Sequence, residues 1–377
     1  MLQNLPFIER RLRKNVDIPL LVAVAVLMLL SLTTVHFATF TQAGTWMTVA
    51  RQAAYFAVGL VLLIWVASRD YSHARRFVGF LYWGNLALLL IVRFTGHAAK
   101  GAARWIKLPI PGMDFKLQPS EFAKICIILT LSCYVASLGP RIRQFPELLK
   151  TLIHVAVPMV LIMLQPDLGT SLVFLAIWVG IVFLAGADLR HLALLAAAGT
   201  TLFAAAWYGH VLKPYQRDRI LTFFNPAGDP RGKGYHVLQS QTAIGGGQAT
   251  GQGLGQGHQT NLNWVPENHT DFIFTVVGEE TGFVGACGLI LVYAVVLWRG
   301  VATILDSEDQ LGRLIGGGVV TLLVFHIVVN IGMTCGIMPV VGVPLPLMSF
   351  GGSAAWSNLI AIGLLLSIHM RRHKIQF

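Results

Sequence analysis

Long apolar runs separated by shorter polar stretches make up most of the 377-residue chain. A transmembrane helix needs about 17 to 25 mostly apolar residues, and ten runs reach or approach this length. The predicted spans are Ile18–Phe40, Thr48–Ala67, Phe77–Phe94, Ser120–Leu138, Thr151–Leu164, Gly169–Ala185, Leu189–Tyr208, Phe272–Trp298, Leu314–Ile337 and Ser349–His369. The fifth is the shortest. The pattern therefore predicts an all-α polytopic integral membrane protein with about ten transmembrane helices, in a single domain over residues 1–377.

Basic residues collect on one side of these spans. RRLRK precedes the first span, SRDYSHARR follows the second, PRIRQFPELLK follows the fourth, and RRHK lies near the end of the chain. Because Lys and Arg are enriched in cytoplasmic loops, both termini are predicted to be cytoplasmic. The two longest loops, residues 95–119 and 209–270, then lie on the outer face. The second is a large extracytoplasmic loop between spans seven and eight.

Composition supports a membrane protein and argues against two other classes. Hydrophobic residues make up 55% of the chain and charged residues only 12%, about half the charged fraction of soluble domains. The net charge of +11 is explained by Lys and Arg at span ends, so no nucleic-acid partner is predicted. The four cysteines all lie in apolar runs, which argues against a disulfide framework.

Four polar clusters from distant parts of the chain fall on the predicted outer face. They are QPSE at 118–121, QPDLGT at 165–170, ENHTD at 267–271 and PLPLMSFGGS at 344–353. Ionisable groups within or beside membrane spans normally face a bundle interior or an aqueous cavity. The convergence predicts one polar site at the outer membrane surface.

Asp271 directly precedes the predicted eighth span and follows Glu267 and His269. Near a helix N-terminus the macrodipole favours the ionised carboxylate, which suits a general base. The alternative is that Asp271 only caps the helix, since Asp is a preferred N-cap residue. This stretch by itself leaves both interpretations open.

Further charged residues accompany Asp271. Glu121 and Lys124 lie three residues apart at the start of the fourth span, and therefore on one helical face. Such a pair either fixes helix packing or supports a site, and its position on the same side as Asp271 favours the site. Asp167 lies in a Pro-Asp-x-Gly turn, where it either caps the next span or pairs with Lys124. Arg104 and the other outer basic residues need anionic partners or structural roles.

Other motifs give weaker evidence for a reactive or ligand-binding site. The glycine-rich stretch Ile244–Gly257 lacks the Gly-Lys-Ser/Thr of a nucleotide site, so it either turns often or allows close approach to a bulky ligand. His269 has no second His or Cys at ligand spacing, which argues against zinc. Glu279 and Glu280 are neighbours on a helix, so at most one of them shares the side of Asp271.

The polar stretches resemble the motifs of one family. GAARWI leading to QPSEFAK, then QPDLGTS, VPENHTDFIFTVVGEETGFVG and VGVPLPLMSFGGS, are similar to the SEDS family (shape, elongation, division and sporulation proteins). The resemblance covers nearly the whole chain. PVVGVPLP and the short N-terminal tail are more similar to the elongation branch than to the division branch. Phe350 departs from the family pattern, which usually has Tyr there, so position 350 is given no hydrogen-bonding role.

The resemblance implies a peptidoglycan glycosyltransferase that polymerises lipid II into β-1,4 glycan strands during cell elongation. The reaction takes place at the outer face of the bacterial cytoplasmic membrane. Asp271 matches the catalytic position of the family. The supporting candidates in its motifs are Glu121, Lys124, Asp167, Arg104, Glu267, His269 and Ser349. A class B penicillin-binding protein and membrane proteins of the elongation complex are the implied partners.

The chemistry that this function requires agrees with these residue types. A carboxylate accepts the proton of the attacking sugar hydroxyl, and cations stabilise the leaving diphosphate. Those cations are Lys124, Arg104, the loop arginines, or a Mg²⁺ or Mn²⁺ ion, and no organic cofactor is expected. Two alternatives are a flippase of the same lipid, since charged spans also suit transport, and a non-catalytic scaffold. Crowding of polar groups on the outer face favours the enzyme over the flippase, and charges within the spans favour it over the scaffold.

Overall fold

The computed structural model describes residues 15–41, 44–95, 97–99, 102–110, 113–229, 232–262 and 264–372. The helices in these ranges are α1 (Ile18–Ala38), α2 (Thr45–Ser68), α3 (Ala74–Thr95), α4 (Pro119–Leu138), α5 (Phe145–Met163), α6 (Leu168–Leu184), α7 (Leu189–Tyr208), α8 (Pro214–Phe224), α9 (Lys233–Gly246), α10 (His258–Asn261), α11 (Ile273–Asp306), α12 (Gln310–Thr334) and α13 (Gly352–Met370). Within the described ranges nine helices are long and apolar enough to cross a membrane, and α6 is apolar over 17 residues. Each predicted span corresponds to one of these ten helices, which confirms the all-α membrane fold.

All but two of the predicted span boundaries lie within four residues of the observed ones. The exceptions are the end of α11, at Asp306 instead of Trp298, and the start of α5. Helix α5 begins at Phe145, six residues before the predicted start at Thr151. Glu147 and Lys150 pair at 2.8 Å on its first turns, and long charged side chains can extend from a helix end towards the membrane surface. The last span begins at Gly352 instead of Ser349, because residues 345–351 form a turn. In both places local polar contacts set the helix start.

The centre of the bundle is formed by α4, α12 and α13. Of the 18 most apolar consecutive residues in each of these spans, 61%, 67% and 83% are buried, respectively. None of the corresponding residues of α7 is buried, so α7 lies at the periphery of the described structure. The central helices α4 and α12 also carry the buried charged and polar residues Glu121, Lys124 and His326. These groups therefore project from the most rigid part of the fold.

The outer loop between α3 and α4 contains a small antiparallel sheet that the sequence pattern did not predict. Its strands are β1 (His97–Ala99), β2 (Ala102–Ile110) and β3 (Met113–Leu117), in the order β1-β2-β3. In the register of β2 and β3, Ile106 is opposite Leu117 and Lys107 is opposite Lys116. β1 and β3 have only three and five residues, and the nine residues of β2, AARWIKLPI, show no alternation of apolar and polar positions and include a proline. The sheet places Arg104 and Lys116 above the membrane helices.

The glycine-rich segment, residues 247–257, completes a broken helix. Helix α11 is interrupted at Gly282, where φ is 65° and ψ is −162°. A break leaves backbone carbonyl and N–H groups without helical partners, and buried groups of this kind need other partners. Four bonds supply them: Gln252 N to Glu279 O at 3.0 Å, Gly253 N to Glu280 O at 3.1 Å, Phe283 N to Gln248 O at 2.9 Å and Val284 N to Ala249 O at 3.1 Å. The segment therefore packs against α11.

Close packing explains the glycines in this segment. A Cβ atom on Gly251 would overlap the carbonyl oxygen of Glu280, and one on Gly247 would overlap that of Gly278. Gly251 also has a φ of +83°, a conformation that L side chains rarely adopt. Nearby, the Glu279 carboxylate accepts bonds from the backbone N–H groups of Gln259 at 2.6 Å and Thr260 at 3.0 Å. Glu279 is thus engaged with α10, in agreement with its expected separation from Asp271.

Gly251→Ala is expected to lower the thermal stability more than Gly253→Ala. Both positions have a positive φ, but a Cβ on Gly253 meets only the Gln256 side chain, at 3.5 Å. The additional overlap at Gly251 should cost about 1 to 3 kcal/mol beyond the shared backbone strain. Thermal unfolding of the two variants in the same detergent measures this difference. Equal melting temperatures would show that the segment does not depend on close contact with α11.

Candidate active site

A cavity of about 590 Å³ opens at the predicted outer side of the bundle. It lies where the N-termini of α4 and α6 meet the residues before α11 and α13, beneath β2 and β3. Its charged lining side chains are Arg104, Lys116, Lys124, Arg219, Glu121, Asp167, Glu267 and Asp271, and His326 also lines it. Four cationic and four acidic groups therefore face one space. Their mixture suits a ligand that carries both anionic groups and hydroxyls.

The structure brings together six of the eight predicted site residues. The residues of that set that line the cavity are Asp271, Glu267, Glu121, Lys124, Asp167 and Arg104. The side chains of His269 and Ser349 are not among the lining groups. The Ser349 hydroxyl donates to the carbonyl of Thr270 at 2.6 Å, and accepts from Leu345 N–H at 2.8 Å. Phe350 N–H donates to the carbonyl of His269 at 2.9 Å. His269 and Ser349 thus join the two loops instead of facing the cavity.

Asp271 lies in the turn just before α11 and is not the capping residue of this helix. The N-cap is Phe272, which makes no side-chain cap hydrogen bond. The amide Nδ2 of Asn330 donates to the carbonyl of Asp271 at 2.8 Å and to that of Val343 at 2.7 Å. Asn330 is fully buried in α12 and so connects the backbone of Asp271 to a rigid helix. The N-cap position of α11 is occupied by Phe272, one residue after Asp271.

Gly342 gives the Asp271 carboxylate its space. Its φ is +72°, and a Cβ atom built there would lie 3.2 Å from Oδ2 of Asp271. Such a contact is tighter than ordinary van der Waals distance, so one of the two groups would have to move. The position of the carboxylate therefore depends on a glycine in the turn before α13.

Gly342→Ala is expected to reduce activity roughly tenfold or more, because small displacements of a catalytic group are costly. Gly186→Ala is the matched control, since Gly186 has a φ of +82° and no described atom within 4 Å of an added Cβ. The two variants carry similar backbone strain, but only the first displaces Asp271. Activity and melting temperature are measured for both. An equal loss of activity in the two would contradict a specific role for Gly342.

Glu121 and Lys124 form a buried ion pair. Lys124 Nζ lies 2.8 Å from both carboxylate oxygens of Glu121, and the two residues are only 2–3% exposed. Ser357 donates to Glu121 Oε2 at 2.9 Å, which links the pair to α13. The pair is shared between helix packing and the cavity wall, so both sequence interpretations apply to it.

His326 extends this pair to α12. Its Nδ1 lies 3.1 Å from the carbonyl of Pro344, and its Nε2 lies 3.2 Å from Lys124 Nζ. A carbonyl can only accept, so Nδ1 carries the proton and Nε2 accepts from the lysine. His326 is therefore neutral in this arrangement. It connects the charged pair to the turn that also contains Gly342.

Asp167 pairs with Arg104, and the predicted alternative of a pair with Lys124 is wrong. The Arg104 guanidinium lies 3.8 Å from Asp167 Oδ2, and its Nε donates to the carbonyl of Gln165 at 2.7 Å. A further Arg104 N–H donates to the carbonyl of Pro166. Asp167 Oδ1 also accepts from Thr170 N–H at 3.2 Å and so caps α6. The pair joins the outer sheet to the membrane helices.

Three site residues were not singled out from the sequence. They are Lys116, His326 and Asn330, whereas Arg219 is one of the loop arginines considered for the diphosphate. Lys116 belongs to the unpredicted strand β3. Arg219 lies on α8 and donates to the carbonyl of Val341 at 3.3 Å. His326 and Asn330 carry a usable signal, because polar residues inside an apolar span normally face a bundle interior.

The family profile described as a cell cycle protein of the FtsW/RodA/SpoVE type matches residues 15–374. The chain belongs to this family. Its SEDS relatives include the peptidoglycan glycosyltransferase MrdB of Escherichia coli K12, which is 36% identical over 85% of both chains. The peptidoglycan glycosyltransferase RodA of Treponema pallidum is 33% identical over 85% of this chain and 89% of the relative. The predicted family and the predicted enzyme class are confirmed.

Solved structures of the SEDS family have the same fold. One chain, from work on the structural coordination of polymerization and crosslinking by a peptidoglycan synthase complex, has a TM-score of 0.80 and 32% identity. It covers 95% of this chain and 99% of its own length. The rod shape-determining protein RodA of Thermus thermophilus has a TM-score of 0.68 and 28% identity, over 95% and 98% of the two chains. RodA proteins thus appear among both the sequence relatives and the structural neighbours.

Proposed function

We propose that this SEDS glycosyltransferase polymerises lipid II into β-1,4 glycan strands, with Asp271 as the general base. The observation that carries the proposal is the cavity itself. It combines Asp271 with four cationic side chains in one space at the predicted outer side of a membrane protein whose relatives are peptidoglycan glycosyltransferases. Such a site can hold a diphosphate and accept a proton from a sugar hydroxyl at the same time.

The reaction is an inverting displacement at the anomeric carbon of the donor sugar. The 4-hydroxyl of the acceptor attacks from the face opposite the α-linked diphosphate and transfers its proton to the Asp271 carboxylate. The new carbon–oxygen bond forms as the bond to the phosphate oxygen breaks, and polyprenyl diphosphate leaves with both bonding electrons. A positioned base typically contributes about 10² to 10⁴ in rate. Asn330 and Gly342 hold that base in place through the contacts described above.

The cations have different tasks in this mechanism. Lys124 and Arg104 each lie within 4 Å of a carboxylate, so their main effect is to hold Glu121 and Asp167 and to shape the wall. Lys116 on β3 and Arg219 on α8 line the cavity from the outer loops. All four cations line the space that the leaving diphosphate would occupy, where fixed positive charge stabilises the developing anion.

A divalent ion fits this site only together with the substrate. In the described part of the chain, no three His, Cys, Asp or Glu side chains come together as a metal site. Mg²⁺ is commonly held by one or two carboxylates plus substrate phosphates, and the acidic cavity lining can supply the carboxylates. When bound, a Mg²⁺ or Mn²⁺ ion supplies charge neutralisation at the diphosphate. Asp271 keeps its role as proton acceptor.

The proposal is tested by giving the purified protein labelled lipid II in detergent, alone and with its partner. Formation of glycan polymer is the expected result. A flippase would give none, because detergent micelles offer no membrane to cross. A scaffold would also give none without a catalytic partner, so the partner alone is the control. Absence of polymer in every combination containing this protein would reject the proposed reaction.

We place the cavity on the outside of the bacterial cytoplasmic membrane because basic loops mark the other side. Gln256 lies near the end of the glycine-rich segment, and Glu308 lies between α11 and α12; both are exposed. Gln256→Cys is expected to react in whole cells with a membrane-impermeant thiol reagent, whereas Glu308→Cys should react only after permeabilisation. Labelling is measured relative to the parent chain, which has four free cysteines. The reverse result would place the cavity on the inside.

The outer loop, with α11 and α12, is the proposed contact surface for a class B penicillin-binding protein. One structural neighbour belongs to a peptidoglycan synthase complex. The loop exposes large apolar side chains, including Phe224 at 78% and Leu254 at 60%. Photo-crosslinkers at these two positions should capture the partner in cells, whereas one at Leu305, near the other end of α11, should not. Capture from Leu305 alone would place the partner elsewhere.

A further inference from the structure

A second cavity, of about 520 Å³, lies at the other end of α4. Arg75 and Val78 of α3, Ala136 and Ser137 of α4 and His154 of α5 are among its lining residues. Ser137 lies 16 residues after Glu121 on α4, which corresponds to about 24 Å along the helix. The cavity is therefore separate from the candidate active site and lies at the predicted cytoplasmic side of the membrane.

Its interior suits hydrocarbon. Val78, Cys133 and Ala136 contribute apolar surface, and the ring of His154 stacks on Tyr82 with a centroid distance of 4.2 Å. The Nε2 atom of His154 lies 3.1 Å from Thr130 Oγ1, so this polar atom already has a protein partner. The Ser137 hydroxyl likewise donates to the carbonyl of Tyr134 at 2.7 Å. A cavity whose interior polar groups are already hydrogen-bonded within the protein is a poor site for water and a good one for apolar chains.

Its surroundings border the lipid phase. Helices α3 and α5, which form two of its walls, expose the large apolar side chains of Phe77, Phe80 and Ile153, at 56%, 77% and 54%. Such side chains on a transmembrane helix face lipid acyl chains. An acyl chain can therefore reach the cavity from the bilayer without crossing an aqueous region.

The mouth of the cavity is cationic. Arg75 lines it with a side chain that is 58% exposed, and its guanidinium lies 3.7 Å from Asp309 Oδ1, beyond direct hydrogen-bond distance. Arg141 and Arg143 lie in the short turn after α4. Basic residues next to the membrane attract anionic lipids of the cytoplasmic leaflet.

We infer that this cavity binds one anionic phospholipid of the cytoplasmic leaflet. One acyl chain lies between α3, α4 and α5, and the phosphate of the headgroup contacts Arg75. The volume lies within the range of about 300 to 1,000 Å³ typical of small-molecule sites. The apolar lining favours a lipid over a free phosphate, because a free phosphate would use Arg75 alone.

Two variants with matched controls test this inference. Arg75→Gln removes the headgroup contact, and Arg76→Gln removes the neighbouring charge outside the cavity lining. Ala136→Leu fills the cavity, and Ala197→Leu adds the same bulk to the exposed face of α7. The purified proteins are exchanged into mixtures of phosphatidylglycerol and phosphatidylcholine with identical acyl chains. Bound lipid is then counted by native mass spectrometry, with and without inorganic phosphate.

The wild-type protein and both controls are expected to retain one phosphatidylglycerol in preference to phosphatidylcholine. Arg75→Gln should reduce that preference about fivefold, the effect of one basic contact at a membrane surface. Ala136→Leu should remove the retained lipid while Arg75 is still present, so a folding defect of the first variant does not decide the test. Displacement by inorganic phosphate, equal retention of the two lipids, or unchanged binding in Ala136→Leu would each overturn the inference.

Discussion

Asp271→Asn is expected to reduce glycan polymerisation by roughly two orders of magnitude or more while the protein folds and binds its partner normally. Asn keeps the volume of the side chain but cannot accept a proton at neutral pH. The N-cap of α11 is Phe272, so the substitution does not change the N-cap residue. The backbone contact from Asn330 to residue 271 uses the carbonyl and is retained. Rates of lipid II polymerisation measure the effect.

Asp188→Asn serves as the matched control. Asp188 caps α7 by accepting from Arg190 N–H at 2.9 Å, on the side away from the cavity. Asn caps helices about as well as Asp, so this variant should keep both stability and activity. Near-normal synthesis by Asp271→Asn would reject the proposed base. A similar loss in both variants would point to a general effect of losing an acidic residue.

Glu121→Gln and Lys124→Met are each expected to lower stability by about 3 to 5 kcal/mol and to impair activity. Each change leaves one buried charge without its partner, and an uncompensated buried charge is strongly destabilising. Lys124→Met also removes the donor to His326, so the contact between α4 and α12 weakens. Thermal unfolding in detergent and polymerisation assays report the two effects separately.

The double variant Glu121→Gln/Lys124→Met distinguishes packing from function. Removing both charges leaves no isolated ion, so stability should recover to well above that of either single variant. Activity should stay low if the pair shapes the cavity wall. Glu147→Gln is the control, because its pair with Lys150 is largely exposed on the lysine side and should contribute little. Unchanged melting of both single variants would show that the Glu121–Lys124 pair is peripheral.

The membrane fold was predictable because its main determinant is local. A run of apolar residues specifies a spanning helix by itself, and the ten predicted spans all correspond to helices. The start of α5 was missed because Glu147 and Lys150 look like loop residues in a linear pattern. The sheet of β1 to β3 was missed because β1 and β3 are short and β2 shows no alternation of apolar and polar residues. These errors arise where a contact, and not the hydropathy, decides the conformation.

The candidate site was predictable in outline and not in its pairings. Orientation alone placed Glu121, Asp167 and Asp271 on one side of the membrane, and all three line the cavity. Sequence spacing could not decide between Glu121 and Asp167 as the partner of Lys124. The partner of Asp167 is Arg104, which reaches it from an unpredicted strand. Ser349 and His269 are next to cavity-lining residues in the sequence, but they lie at the junction of two loops and do not line the cavity. The direction of a side chain decides this, and the sequence does not show it.

The break in α11 has a consequence for biosynthesis. Residues 283–306, beyond Gly282, form about 24 residues of helix, some 36 Å, which is long enough to cross a bilayer unaided. The translocation machinery can therefore insert this portion without residues 273–281. The outer portion continues from it at Gly282 and is held by hydrogen bonds from the glycine-rich segment. Asp271 directly precedes that outer portion, so the position of the proposed base depends on how the portion docks in a newly made chain.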